Sequence, residues 1–232
     1  MKFRTISRSL VVLSTLQFGL VWAASSPVEI LKKVDAIRNP AESYDMRVRI
    51  GESLFLVLIS GNSRTIVKTL DPARDRGRDL LMIDEEMWAY IPNLKRAVRV
   101  SLSQKLTGQA ANGDISRMRW SGDYVPQIES QEADAWILSL KAAKKGLTYE
   151  RIRVWVSKKD HSPQKAEYLT DAGKVLKRAQ FEEYRMMAGR LRPTRLEIQS
   201  AVNSSESSTL KMESMTPKKF SESLFNPQRL GQ

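Results

Sequence analysis

The residue types that carry most enzyme chemistry are nearly missing from this chain. It has one histidine, His161, and no cysteine. His161 stands in Lys159-Asp160-His161-Ser162-Pro163, which offers the three residue types of a hydrolytic triad in consecutive positions. Consecutive turn residues do not point at one another as a triad requires, so the segment reads as a surface hairpin loop. A zinc site prefers nitrogen and sulfur ligands, and here it would have to be almost entirely carboxylate. The acid pairs Glu85-Glu86 and Glu182-Glu183 fall in a turn and a strand. Strand neighbours point to opposite faces and cannot share one proton. No Gly-rich phosphate loop is present. The residues predict no enzyme, no metal site and no cofactor.

The remaining chemistry is apolar binding. Nine Met and five Trp can build a soft, adaptable wall for a greasy ligand. Read from strand alternation, the candidate wall is Met46, Val48, Met82, Trp88, Tyr90, Val98, Trp136, Leu138, Val154, Phe181, Ile198 and Met212. The same residues could equally be an ordinary packed core.

The elements that must position them are mostly strands. Leu80-Leu81-Met82-Ile83 stops at Asp84-Glu85-Glu86, Met87 to Ile91 stops at Pro92-Asn93, and Lys95 to Val100 alternates, which is the pattern of an antiparallel meander. Tyr44, Met46, Val48 and Ile50 alternate with Asp45, Arg47 and Arg49. Leu54 to Ile59 is apolar throughout and predicts a strand covered on both faces. Further strands follow at 65–70, 133–140, 149–156, 165–169, 174–187, 194–202 and 209–215, with Gly189 to Pro193 as a break. About ten strands with tight turns predict a mainly β (α+β) fold, a single strongly curved antiparallel sheet forming an incomplete barrel. An opening helix is expected after Ser25 or Ser26, with Pro27 first, an apolar stripe at Val28, Leu31, Val34 and Ile37, and its end at Asn39-Pro40. Ser103 to Gly122 is a polar insertion in which Asp114 could cap a helix bearing Ile115, Met118 and Trp120, and such insertions often form lids. Pro217 to Gln232 reads as a short amphipathic helix docking on the sheet through Phe220, Leu224 and Phe225.

Residues 1–23 read as a cleaved secretory leader, with basic Lys2, Arg4 and Arg8, an apolar run from Leu10 to Trp22 too short to span a bilayer, and Val21-Trp22-Ala23 as the cleavage site. Residues 24–232 are expected to form one domain. Without cysteine the chain needs no oxidative folding and cannot carry a bacterial lipid anchor, so the expected location is a periplasm, in soluble form. The net charge is +12, and it falls to +9 once the three bases of the leader are gone. That excess favours anionic partners such as a membrane surface. The bases are scattered, without a nucleic-acid-binding motif, so no nucleic-acid partner is expected.

The run Leu81-Met82-Ile83-Asp84-Glu85-Glu86-Met87-Trp88-Ala89-Tyr90-Ile91-Pro92 resembles the strand, acidic turn, Trp-Tyr strand and Pro end of the periplasmic lipoprotein-carrier family, LolA and LolB. Here Glu85-Glu86 replaces the family's Gly-Lys. Gln104 to Gly108, Asp114-Ile115 and Asp123-Tyr124 are similar to a sister group, the outer-membrane lipoprotein-sorting proteins, often associated with exporters of the resistance-nodulation-division type. The resemblance implies a half-barrel with an apolar concave face under lid helices. It also implies a carrier or chaperone that holds acyl chains of lipoproteins or lipids and moves them toward the outer membrane. Partners implied are an inner-membrane exporter and an outer-membrane acceptor. The family's lid-locking Arg has no motif-matched counterpart here. The alternative is a non-catalytic periplasmic binding or sensing module, or an accessory partner of a lipid exporter, on the same fold, using an outer basic face of Arg47, Arg49, Arg151 and Arg153.

Overall fold

The computed structural model describes residues 26–231, so the leader expected at residues 1–23 lies outside the described residues. Helix α1 (Pro27–Arg38) opens the fold, with Ser26 and Asn39 as its flanking residues. Six strands follow as a meander: β1 (Ser43–Ile50), β2 (Ser53–Ser60), β3 (Arg64–Asp71), β4 (Leu80–Ile83), β5 (Glu86–Ile91) and β6 (Arg96–Val100). A small hairpin, β7 (Lys105–Thr107) and β8 (Ala110–Ala111), leads into α2 (Asn112–Ser116). A second meander then runs through β9 (Tyr124–Gln131), β10 (Ala135–Ala142), β11 (Arg151–Ser157), β12 (Pro163–Leu169), β13 (Val175–Met187), β14 (Arg190–Ser200) and β15 (Ser207–Pro217).

The two meanders form one antiparallel sheet of thirteen strands, because β15 pairs with β1. The spatial order runs from β6 through β1 and β15 to β9, leaving β6 and β9 as edges, so the barrel stays open. Alternation decides which side chains face inward. In β1, Tyr44, Met46, Val48 and Ile50 are buried while Arg47 is exposed, and its partner strand adds Leu210, Met212 and Met215 to the same face. The concave face holds the main core, running from Ile30, Leu31 and Val34 of α1 through β1–β4 to Leu138, Val154, Phe181 and Ile198.

A second, smaller apolar cluster lies on the convex face, where Ile66 and Leu81 meet Phe225 and Leu230 of the tail. Leu58 packs against it as well, so β2 is covered on both faces there, as its continuous apolar run predicts. The tail is not a helix but two single 3₁₀ turns, Glu222–Leu224 and Pro227–Arg229. Pro227 disfavours helical geometry at Asn226 and separates them.

Other expectations shift in detail. The strand at 124–131 is additional to those read from sequence, and β14 continues through Pro193 instead of breaking there. Pro193 pairs with Tyr184 and the register runs on unshifted, while the neighbouring Glu183 takes φ 50° and its carbonyl accepts the Thr194 hydroxyl. In α1, Val28 is 46% exposed and Ile30 takes its place inward. In the insertion, α2 ends at Ser116, so Met118 and Trp120 are buried beyond it, and Asp114 caps the helix start from its third position by accepting the Ala111 N–H.

Leu138 is fully buried and Leu94 is 56% exposed. Leu138→Ala is therefore expected to cost about 2–5 kcal/mol in urea unfolding, and Leu94→Ala less than about 0.5 kcal/mol.

Candidate functional site

The open barrel creates a need that the chain meets with its own connection. From edge β6 to edge β9 the chain must cross the mouth of the concave face, and residues 101–123 do so. This crossing, with α1 beside it, is the lid. Its undersides are apolar: Leu102, Ala110, Ile115, Met118 and Trp120 join the main core.

Polar ties hold it down. Asp35 of α1 accepts the backbone N–H of Trp120 (3.0 Å) and of Ser121 (2.7 Å). Arg38, one turn on, lies with its guanidinium 3.7 Å from the Trp120 ring centre and 5.7 Å from that of Phe181. A cation over an aromatic face is attracted to its quadrupole. Arg38 is also 3.6 Å from the Asp35 carboxylate. On the sheet side, Thr65 Oγ1 donates to the Ser116 carbonyl at 2.7 Å. Arg117 makes a two-pronged contact with Asp123, Nε to Oδ2 at 2.5 Å and Nη2 to Oδ1 at 2.8 Å, and donates to the Asp84 carbonyl of the β4–β5 turn. Burial disfavours the Arg117 charge, but the hydrogen bonds to Asp123 together with the negative charges of Asp123 and Glu85 outweigh it and hold the group above its ordinary range. Glu85 in the same turn pairs with Lys144, which lowers its carboxyl. Arg192 of β14 donates to the Ala36 (2.9 Å) and Ile37 (2.5 Å) carbonyls, satisfying the end of α1.

Beneath the lid the interior is filled. A void of only about 20 Å³ remains among Arg38, Trp120, Tyr124, Tyr149, Tyr168 and Leu196. Asp114 is buried beside it, its carboxyl pushed up by burial, and it accepts from the Ala111 N–H (2.7 Å) and Tyr149 hydroxyl (2.8 Å). Lys177 reaches the Gln109 carbonyl at 2.5 Å, and burial lowers its ammonium. An opening lies at the β6 edge: a cavity of about 340 Å³ with Phe55, Leu80, Ala89, Val100 and Leu106 in its wall. Its rim is polar, with Asp75, Arg78, Gln104, Lys105 and Asn112.

Of the twelve candidate wall residues, Met46, Val48, Met82, Leu138, Val154, Phe181, Ile198 and Met212 are buried in the concave core, and Trp136 packs against it. Val98 pairs with Ala89, whose side chain meets that core, so both share the concave face. Trp88 and Tyr90 sit on the opposite, convex face with the tail cluster. Period two separates the faces but does not say which is concave. Of the candidate set only Tyr90 lines the cavity, whose apolar wall is otherwise Phe55, Leu80, Ala89, Val100 and Leu106. The lid's charged ties were also absent from it. A signal for two existed: Asp35 and Arg38 occupy the helical phase of the Leu31–Val34 stripe, where charges need internal partners.

Structure comparison places the fold among known proteins. A LolA superfamily protein from Nitrosomonas europaea is 33% identical, with a TM-score of 0.82 covering 88% of this chain and 98% of that one. This chain belongs to the LolA superfamily. A protein-family model described as "Uncharacterized protein" matches residues 61–232. Two further structures at 18% identity show the same fold. One is a putative outer membrane lipoprotein-sorting protein domain from Vibrio parahaemolyticus, with TM-score 0.67 over 89% of this chain and 98% of that one. The other, from a domain family of unknown function in Desulfovibrio piger, has TM-score 0.72 over 88% and 97%. No curated protein matches the chain.

Within this LolA-type fold, His161 lies in the β11–β12 turn at φ 64° and packs on Trp136, ring centres 5.3 Å apart. Ser162 Oγ donates to Asp160 at 2.6 Å, while His161 Nε2 faces Lys33 Nζ at 3.5 Å. The three residues thus form no proton relay. Among the described residues no helix is long and apolar enough to cross a membrane. The outer arginines are largely matched by acids: Arg49 with Glu213 (2.7 Å), Arg151 with Asp171 (3.2 Å) and Arg153 with Glu129 (2.8 Å) and Glu167 (3.0 Å).

Asp35→Ala leaves two lid amides without an acceptor and Arg38 without its counterion. It is expected to cost about 2–4 kcal/mol in urea unfolding and to speed amide exchange across residues 101–123 while β10–β12 stay protected. His161 is lowered first by burial and then by Lys33, with Asp160 opposing. Its folded form takes up a proton at lower pH than its unfolded form, so it destabilises the protein as pH falls below about 6.5. The melting temperature of His161→Gln should lose less than that of the unsubstituted protein between about pH 7.5 and pH 5.5.

Proposed function

We propose that this chain is a non-catalytic periplasmic carrier or chaperone that takes acyl chains of lipids or lipoproteins onto its concave apolar face and releases them toward the outer membrane. A chain of about fourteen carbons faces a barrier of roughly 10 kcal/mol to crossing water alone, at about 0.8 kcal/mol per methylene. A protein with an apolar face that opens and closes removes most of it.

The observation that carries this reading is the construction of the cover. Residues 101–123 shield the apolar face and are tied down through side chains at Asp35, Thr65, Arg117 and Asp123, not through ladder pairing with the main sheet. Such ties exchange readily for water when the lid lifts. The 340 Å³ cavity, walled by Phe55, Leu80, Ala89, Val100 and Leu106, gives an acyl chain a place to start. An inner-membrane exporter and an outer-membrane acceptor would be the partners of such a carrier.

The filled interior favours a second reading: a binding module, or an accessory partner of a lipid exporter, that keeps its lid closed and works through its surface. Uptake of a fluorescent fatty acid by the mature protein separates the two. The carrier reading expects saturable uptake, raised several-fold in Asp35→Ala and lowered at least about tenfold in Val100→Asp, because a desolvated carboxylate in the cavity wall opposes the chain. No uptake by either the unsubstituted protein or Asp35→Ala, with both folded by circular dichroism, supports the module.

A further inference from the structure

The β13–β14 hairpin outruns its neighbours. Strand β12 pairs with β13 only as far as Gln180, and β15 pairs with β14 only from Arg195. Residues 181–194 therefore continue as a two-stranded ribbon past the last ladder pairs with β12 and β15. Its turn, Ala188-Gly189, takes positive φ at both residues (48° and 77°), the tight geometry that fits a twisted ribbon.

The tip carries an unusual cross-strand pair. Met186 and Leu191 face each other in register and are 69% and 54% exposed. Basic residues flank them. Between Tyr184 and Arg195 the sequence has Arg185, Arg190, Arg192 and Arg195 and no acid. Arg192 is committed to the end of α1 and Arg195 to Glu182 and Glu197, and Arg185 meets Glu183 at 2.6 Å. Arg190, exposed, has no acidic partner among the described residues.

We propose that this tip is a docking element for an anionic phospholipid surface. Exposed Met and Leu side chains gain by entering the boundary between headgroups and acyl chains, while the Arg190 guanidinium beside them meets a lipid phosphate. A protein groove would satisfy the apolar pair, but the unmatched positive charge at the rim is complementary to a phosphate layer. Location adds to the argument. A cavity of about 560 Å³ opens at the base of the tip, lined by Lys33, Ile37, Asp160, Tyr184, Arg190 and Leu191, so a membrane held at the tip lies next to the lid helix. The inference deepens the carrier reading by naming the surface and the residues that would meet it, and it is tested apart from acyl uptake.

The test is flotation of the mature protein with vesicles of phosphatidylethanolamine and phosphatidylglycerol, compared with pure phosphatidylcholine. Binding to the anionic vesicles is expected to weaken at least about tenfold in Met186→Asp/Leu191→Asp and several-fold in Arg190→Glu. These variants should keep the unsubstituted melting curve and fatty-acid uptake, since neither touches the concave face. Lys145→Gln/Lys174→Gln should bind as the unsubstituted protein does. The proposal is overturned if the protein ignores anionic vesicles, whatever protein it captures, if both tip variants bind undiminished, or if the Lys145/Lys174 variant loses as much as they do. A protein that takes up fatty acid yet fails on vesicles would reject the tip and leave the carrier reading standing.

Discussion

Asp35 is a carboxylate on the inward side of α1 that accepts two backbone N–H groups from residues 85 and 86 positions later in the chain. Buried charge of this kind is tolerated only when it is fully matched, and here two amides and the nearby Arg38 guanidinium supply the match. The bond fixes α1 against the lid, which fixes Trp120 over Arg38, which closes the concave face. Remove the acceptor and the rest of the cover has little else to hold it on that side.

The demand for a cover follows from the sheet. Thirteen antiparallel strands curl far enough to make an apolar trough, yet β6 and β9 remain unpaired to each other. An open trough would expose both the apolar face and two strand edges, a liability for aggregation. Residues 101–123 bridge the edges and bury Leu102, Ile115, Met118 and Trp120 in the trough. The tail performs a parallel task outside, covering Ile66 and Leu81 with Phe225 and Leu230. The sheet is thus clothed on both sides by segments with little regular structure.

That division of labour is what the proposed carrier would need. Ladder hydrogen bonds give the sheet its rigidity, and a modest set of side-chain bonds sets the lid's stability. The interior is closed and filled because Trp120, Met118 and Ile115 occupy the apolar space. In the proposed carrier the same residues that protect the face in water would have to leave it for an acyl chain to enter, so guest and lid would compete for one surface.

The alternation of Tyr44 to Ile50, the meander around Asp84 and Pro92, and the start of α1 at Pro27 were all legible in sequence, because each is dictated by side-chain period and turn chemistry over a few residues. So was the resemblance to the LolA family, carried by the strand, acidic turn and Trp-Tyr run of residues 81–92. Alternation could not tell that Trp88 and Tyr90 face outward while Met82 and Val98 face inward, since period two is symmetric until curvature chooses a concave side. Nor could it pair Asp35 with Trp120, Arg117 with Asp84, or Arg192 with Ile37, because those contacts join segments brought together only when β15 meets β1. The chain's local pattern determined that it makes a curved, cysteine-free antiparallel sheet with an apolar face. Tertiary closure alone decided what covers that face, since buried charges find partners across the fold and not along the chain.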